Sequence, residues 1–341
     1  MASSGDSFYV CSCFYSRNYY VPKLGKHVIY NTKDAFIDQY KEVLVSAGLG
    51  SSIESIAGEI EDERLRRQNL GIESAKRRAE IAARYSPLHP DIYHLKESHL
   101  HPRFISLVKL SNSLNCKKDL IQHIESLKGA DQVYVIPVFS EEFCRRFLSE
   151  LKNFEESDLP KGRPNTMNND GVLLDELGFD VNFLDPLREQ YLNPLASVLF
   201  PEEVGHSLDS HKAFVVTYKV GRDEDLDLHF DNAEVTLNVS LSAGFSEGSL
   251  YFGAMNTDPA PATKYSKCDH KLAYGVLHRG QHMHGALPIE DGERYNLIIW
   301  MRSSSVRTQR CPMCRCEPHL MPTVGRGDGF KAPVKDLCRL V

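Results

Sequence analysis

The sequence has no excess of positive charge: 40 lysines and arginines stand against 46 aspartates and glutamates among 341 residues, a formal net charge of −6 at pH 7. A chain with that balance lacks the broad basic field that attracts a phosphate backbone, which argues against a generic nucleic-acid binder. No run approaches the ~18 uninterrupted apolar residues of a membrane helix, so no membrane span is expected. The opening Met1-Ala-Ser-Ser-Gly-Asp-Ser-Phe8 has neither a basic stretch nor an apolar one. No secretory leader is therefore expected, and the expected compartment is intracellular, cytoplasm or nucleus. Internal repeats with a period of roughly 20–50 residues are absent, as are low-complexity segments. The nine cysteines are odd in number and crowd toward the two ends. That distribution fits reduced thiols better than a disulfide framework.

What is present is ordinary for a globular protein, with 42% hydrophobic and 25% charged residues. The length suggests about two domains of roughly 100–200 residues. Short aromatic and β-branched runs, Phe8-Tyr-Val and His27-Val-Ile-Tyr, read as extended segments. Ile53, Ile56 and Ile60 share one helical face in a charged stretch ending near Tyr85, which predicts one or two amphipathic helices. Arg64, Arg66, Arg67, Lys76, Arg77 and Arg78 interleave there with glutamates, so a solvated face is expected rather than a nucleic-acid footprint. Pro87, Pro90 and Pro102 and a polar stretch at 111–118 suggest a boundary near residue 130. Beyond it, Val133 to Phe139 predicts a strand, and Ser140-Glu-Glu-Phe a helix start running to about Phe154. Leu184 to Leu199 has helical spacing.

From Ala213 the period becomes that of strands, expected at 213–218, 235–241, 249–252, 275–278 and 295–301 with turn residues between them. The expected fold is α+β, a jelly roll with supporting helices and a smaller, mainly helical N-terminal region. The expected division is 1–130 N-terminal, 131–210 helical support, 211–305 jelly-roll core and 306–341 a cysteine-bearing tail.

Chemistry concentrates in the strand-rich part. In extended chain, alternate side chains share a face, so His229 and Asp231 can reach one point in space. A third ligand from a later strand would complete the two-histidine, one-carboxylate set that leaves positions open on Fe(II). His-X-Asp alone is also a common structural pair. The third ligand is ambiguous, because His278, His282 and His284 all have the same parity. In the following strand Arg294, Asn296, Ile298 and Trp300 share a face. A guanidinium on an otherwise apolar face needs an anionic partner, preferably a carboxylate gripped by both nitrogens.

The pattern Tyr218…His229-Phe-Asp231…Glu247-Gly-Ser-Leu-Tyr-Phe…His284…Gly-Glu-Arg294-Tyr-Asn…Trp300, covering about residues 211–305, resembles the prolyl/lysyl hydroxylase-type branch of the Fe(II)/2-oxoglutarate dioxygenases. The resemblance selects His284, which lies about ten residues before the arginine. It implies Fe(II) held by His229, Asp231 and His284, and 2-oxoglutarate held at its distal carboxylate by Arg294, with Tyr218 and Asn238 as further co-substrate contacts. It also implies O2 as the oxidant, ascorbate supporting turnover, and an acceptor that can be a protein side chain. The rival expectation is a non-catalytic scaffold that retains the barrel. Another metal in a barrel without co-substrate would leave Arg294 unexplained.

Two further features stand apart. Cys311-Pro-Met-Cys314 has the spacing of half a zinc site, with Cys316, His319 and Cys338 nearby, and Cys11-Ser-Cys13 would complete it if the termini meet. The simpler expectation is reduced thiols near the surface. Arg163 and the asparagine-rich stretch at 165–169 read either as a channel lining or as a turn-rich connection.

Overall fold

The structure, a computed structural model, describes residues 8–113, 117–259 and 264–331. Within them the chain forms two compact units, one from residues 76–306 and one from residues up to 75 together with those from 307 onward.

The larger unit is layered. Its main sheet has seven strands in the order Glu125–Ser126, Val133–Pro137, Tyr274–Arg279, Val235–Ser240, Glu293–Arg302, Ser210–Lys219 and Gly171–Leu173. A second sheet of four runs Ser266–Cys268, Leu250–Met255, His282–Ala286 and Leu226–His229. All the pairings in both sheets are antiparallel. Period-two alternation sorts the side chains of the long strands. Tyr295, Leu297, Ile299 and Met301 join the helix-facing core, whereas Ile298 and Trp300 join Phe214, Val216 and Tyr218 in the apolar layer shared with Leu250 and Phe252 of the second sheet. Two sheets enclosing one apolar layer, with helices over the outer face of the larger, make the jelly roll expected from the short strands.

The helices follow their local signals. Ser140 caps Glu141–Glu155, its hydroxyl accepting the Phe143 N–H at 3.2 Å, and Glu141 and Glu142 occupy the positive end of the helix. Phe143, Phe147, Leu151 and Phe154 then fall on one buried stripe. Glu150 on this helix is fully buried, yet it accepts from Tyr85, Tyr93 and the His89 N–H. The segment expected as one helix from Leu184 to Leu199 is instead a succession of wide turns, Asp180–Leu184 and Leu187–Leu192, before the regular turns of Asn193–Leu199. The boundary expected near residue 130 falls inside this unit, because Phe104, Leu107, Val108 and Leu120 lie in the same core as the sheet.

In the smaller unit the N-terminal segment and the tail fold together. Strand Phe8–Cys11 pairs with Leu320–Pro322 on one side and Phe330–Lys331 on the other. Among the described cysteines, Cys11, Cys13 and Cys311 are buried and only Cys316 is exposed, which corrects the expectation of surface thiols; Cys116 and Cys338 lie outside the described residues. The charged stretch is one helix, Ile53–Arg84, of which the residues up to 75 belong to this unit and the rest to the larger one. Glutamates pair with Arg64, Arg66 and Arg84, as a solvated face requires. Arg67 departs from that reading: it is buried and donates to the carbonyls of Phe14, Arg17 and Asn18. No described helix is long and apolar enough to cross a membrane.

Candidate metal centre

His229 closes strand Leu226–His229 and sits in register opposite His284, so adjacent strands place two imidazoles side by side, ring centroids 4.4 Å apart. Asp231 lies just past the strand end, where three contacts fasten it. Its N–H donates to the Gly280 carbonyl at 2.8 Å, its carbonyl accepts from Gln281 at 3.2 Å, and its Oδ2 accepts from Thr236 Oγ1 at 2.7 Å. His229 Nε2 stands 3.6 Å from Asp231 Oδ1, and His284 Nε2 stands 3.6 Å from Oδ2. One ligand atom from each of the three residues lies within 4.8 Å of the others.

The proton positions follow from the outer partners. His229 Nδ1 faces the Asp227 carbonyl at 2.8 Å, and His284 Nδ1 faces the His282 carbonyl at 2.9 Å. A carbonyl only accepts, so each Nδ1 carries a hydrogen and Nε2 is the nitrogen left to face a metal. Burial holds the His284 pKa well below the usual imidazole range. Burial would push the Asp231 carboxyl up, but the facing His284 and His229 rings outweigh it and hold it below the usual carboxylate range. Two imidazole nitrogens and a carboxylate thus turn their donor atoms toward one small space, where the carboxylate calls for a shared cation. The donor set fits Fe(II) with open positions.

Of the three histidines of equal parity, His284 belongs to this group. His282 is turned aside, its Nε2 on the Gly253 carbonyl at 3.0 Å, where the partner strand is irregular between Phe252 and Met255. His278 is on the neighbouring sheet, bonded to the Arg279 carbonyl and edge-on to His284 at 4.6 Å.

Arg294 is fully buried with its guanidinium 3.9 Å over the Tyr218 ring, its register partner. One terminal nitrogen donates to the Gly248 carbonyl, while Nε and the other terminal nitrogen meet no acceptor among the described residues. Burial pushes the Arg294 pKa down and the Tyr218 pKa up. Asn238 accepts from Asn296 at 2.6 Å, and Asn296 neighbours His270 Nδ1 at 3.3 Å. Burial, aided by Arg294, pushes His270 down to about 3. The polar face of strand Val235–Ser240 links these groups, for Thr236 holds Asp231 and Asn238 meets Asn296.

Thr236 and His270 were not anticipated. The alternation Thr236, Asn238, Ser240 in an otherwise apolar strand could have flagged the first. His270 lies in a loop with no periodic signal. Asn232, next to Asp231, is tied up by Arg302, which donates to its carbonyl at 3.1 Å. The 163–169 loop is a turn: Asn165 accepts from the N–H groups of Met167 and Asn168, Arg163 donates to the Asn168 carbonyl, and Asn169 donates from its N–H and side-chain amide to the Asp223 carboxylate at 2.6 and 2.9 Å.

Proteins similar to this chain are named for a 2-oxoglutarate and iron-dependent oxygenase domain. "2-Oxoglutarate and iron-dependent oxygenase domain-containing protein 2" of Xenopus tropicalis is 48% identical over 98% of this chain and 97% of its own length. The Homo sapiens protein of that name is 44% identical over 97% of this chain and 96% of its own. A family model described as the OGFOD2-like domain matches residues 81–205. Among solved structures, a prolyl hydroxylase of Trichoplax adhaerens in complex with a hypoxia inducible factor peptide fragment is 16% identical, covering 62% of this chain and 98% of that one with a TM-score of 0.44. The chain belongs to the family of 2-oxoglutarate and iron-dependent oxygenase domain-containing protein 2.

Proposed function

We propose that this protein is a dioxygenase that binds Fe(II) through His229, Asp231 and His284 and couples the oxidative decarboxylation of 2-oxoglutarate to hydroxylation of an acceptor. The carrying observation is the convergence of two Nε2 atoms and the Asp231 carboxylate on one space, in the same unit as a buried arginine with two unused nitrogens. Iron bound there supplies the oxygen chemistry: one atom of O2 enters the acceptor C–H bond as hydroxyl, and the other enters succinate as 2-oxoglutarate loses CO2.

The chain's own residues bind, orient and exclude water. The Asp227 and His282 carbonyls fix both imidazoles with Nε2 inward, and Thr236 holds the Asp231 carboxylate by its Oδ2. Arg294 takes the distal carboxylate of 2-oxoglutarate on its free nitrogens, a charge-assisted contact in a site that water does not reach. Tyr218 stacks on the guanidinium and restricts it to that direction. Asn238, oriented by Asn296, offers the co-substrate a second polar contact. Likeness of the 211–305 motif to prolyl and lysyl hydroxylases supports a protein side chain as acceptor and ascorbate as the reductant that sustains turnover.

The test is anaerobic titration of the Fe(II)-loaded protein with 2-oxoglutarate, following the metal-to-ligand charge-transfer band of bidentate chelation. A band that is lost in Asp231→Ala is expected. Folded, iron-loaded protein without the band would favour a scaffold that retains the barrel.

A further inference from the structure

Two pairs of cysteines from opposite ends of the chain meet in the smaller unit, and the geometry points to a structural zinc site there, formed by Cys11, Cys13, Cys311 and Cys314. All four Sγ atoms lie within 4.8 Å of one another. Cys13 Sγ is 3.6 Å from Cys311 Sγ, and Cys11 Sγ is 4.0 Å from Cys314 Sγ. A disulfide requires about 2.05 Å, so these are four separate thiols. Four sulfurs around Zn(II) at about 2.3 Å stand about 3.8 Å apart along each edge of the tetrahedron, and the two measured spacings bracket that value.

The backbone on both sides sets these positions. Cys11 ends the central strand of its three-stranded sheet, opposite Leu320, and Cys13 sits in the tight turn Ser12–Tyr15 that follows. The Ser12 N–H donates to the His319 carbonyl at 2.8 Å, tying that turn to the C-terminal segment. On the other side, Cys311-Pro-Met-Cys314 is closed by the Arg315 N–H donating to the Cys311 carbonyl at 2.8 Å, with Arg315 in the left-handed region at φ 61°. The Cys311 N–H donates in turn to the Cys316 carbonyl at 2.9 Å. Phe330 packs with Cys11, Cys13 and Cys311, and Tyr9, Met313 and Leu320 cover the cluster.

Four soft donors in a closed, largely apolar shell leave no position for substrate, which marks a structural site rather than a catalytic one. Zinc here releases the thiol protons on binding and ties residues 11–13 to residues 311–314. It shares no ligand with the histidine–carboxylate group in the other unit.

The full-length protein, produced with zinc in the medium and treated with a weak chelator to clear the histidine–carboxylate group, is expected to retain one equivalent of zinc by elemental analysis. X-ray absorption at the zinc edge should show four sulfurs at about 2.3 Å. Cobalt(II) in its place should give the intense visible bands of tetrahedral thiolate coordination. Those bands should persist in a His229→Ala/Asp231→Ala double variant and be lost in Cys13→Ser and Cys311→Ser. Absorption spectroscopy on the wild type decides the matter even where the serine variants fail to fold. Less than a tenth of an equivalent of retained metal, iron in place of zinc, nitrogen or oxygen in the shell, or intact-mass evidence of disulfides among these cysteines would overturn the assignment.

Discussion

Arg294 is buried with Nε and one terminal nitrogen unmatched. Such a group is costly unless an anion joins it, since each hydrogen bond to a charged group contributes about 1.5–3 kcal/mol. Arg294→Ala is therefore expected to weaken 2-oxoglutarate binding by about 100-fold, corresponding to about 2.7 kcal/mol, while iron stays bound. Calorimetry with 2-oxoglutarate and metal analysis of the same preparation check both halves. Unchanged co-substrate affinity would remove the arginine from its role. The histidines offer a second contrast at this scale. His284→Ala is expected to abolish turnover, whereas His282→Ala, which loses a ring bonded to the Gly253 carbonyl, should be milder. The opposite order of severity in an assay of succinate formation would exchange their roles.

Among elements, the turn between strands Tyr274–Arg279 and His282–Ala286 links fold and site most directly. The Gly280 N–H donates to the Glu234 carbonyl, and its own carbonyl receives the Asp231 N–H. A Cβ at this position would stand 2.0 Å from the Ala233 carbonyl oxygen. Gly280→Ala must push that backbone away, at about 1–3 kcal/mol, and Asp231 moves with it. Lower stability in chemical denaturation together with weaker iron retention is the expected outcome; an effect on stability alone would uncouple the turn from the site. Strands of ten residues such as Glu293–Arg302 were legible because alternation over that length separates two faces clearly. The four-residue Leu226–His229 and five-residue His282–Ala286, which carry two of the three candidate ligands, were not. In so short a strand the alternation is too brief to stand out, and pairing across the sheet decides its existence.

The whole molecule holds histidines that are neutral because they are buried. His270, facing Arg294, the Gly248 carbonyl and Asp269, is held at about 3. Its pKa in the unfolded chain is about 6.5. Between those values the unfolded state binds the extra proton, so stability falls as the pH drops, by up to about 1.4 kcal/mol per pH unit from this group. The contribution is fully present above about pH 6.5. Urea midpoints measured between neutral and mildly acidic pH should decline for the wild type and decline less steeply for His270→Gln. Equal slopes would show that the ring is not held neutral by the fold.

By itself the sequence determined what depends on neighbours within a few residues. The spacing of His229 and Asp231, the two faces of the Arg294 strand, the Ser140 cap and the pairing of charges along the 53–84 helix are all local geometry. The tertiary structure decided what depends on strands distant in sequence. It set His284 in register with His229, anchored Asp231 through Thr236 and Gly280, and turned His282 toward Gly253. It also brought Cys11 and Cys13 to Cys311 and Cys314, nearly the whole chain apart. Local periodicity says which way a side chain points along its own strand, but not which strand lies beside it. That choice belongs to the packing of the whole core.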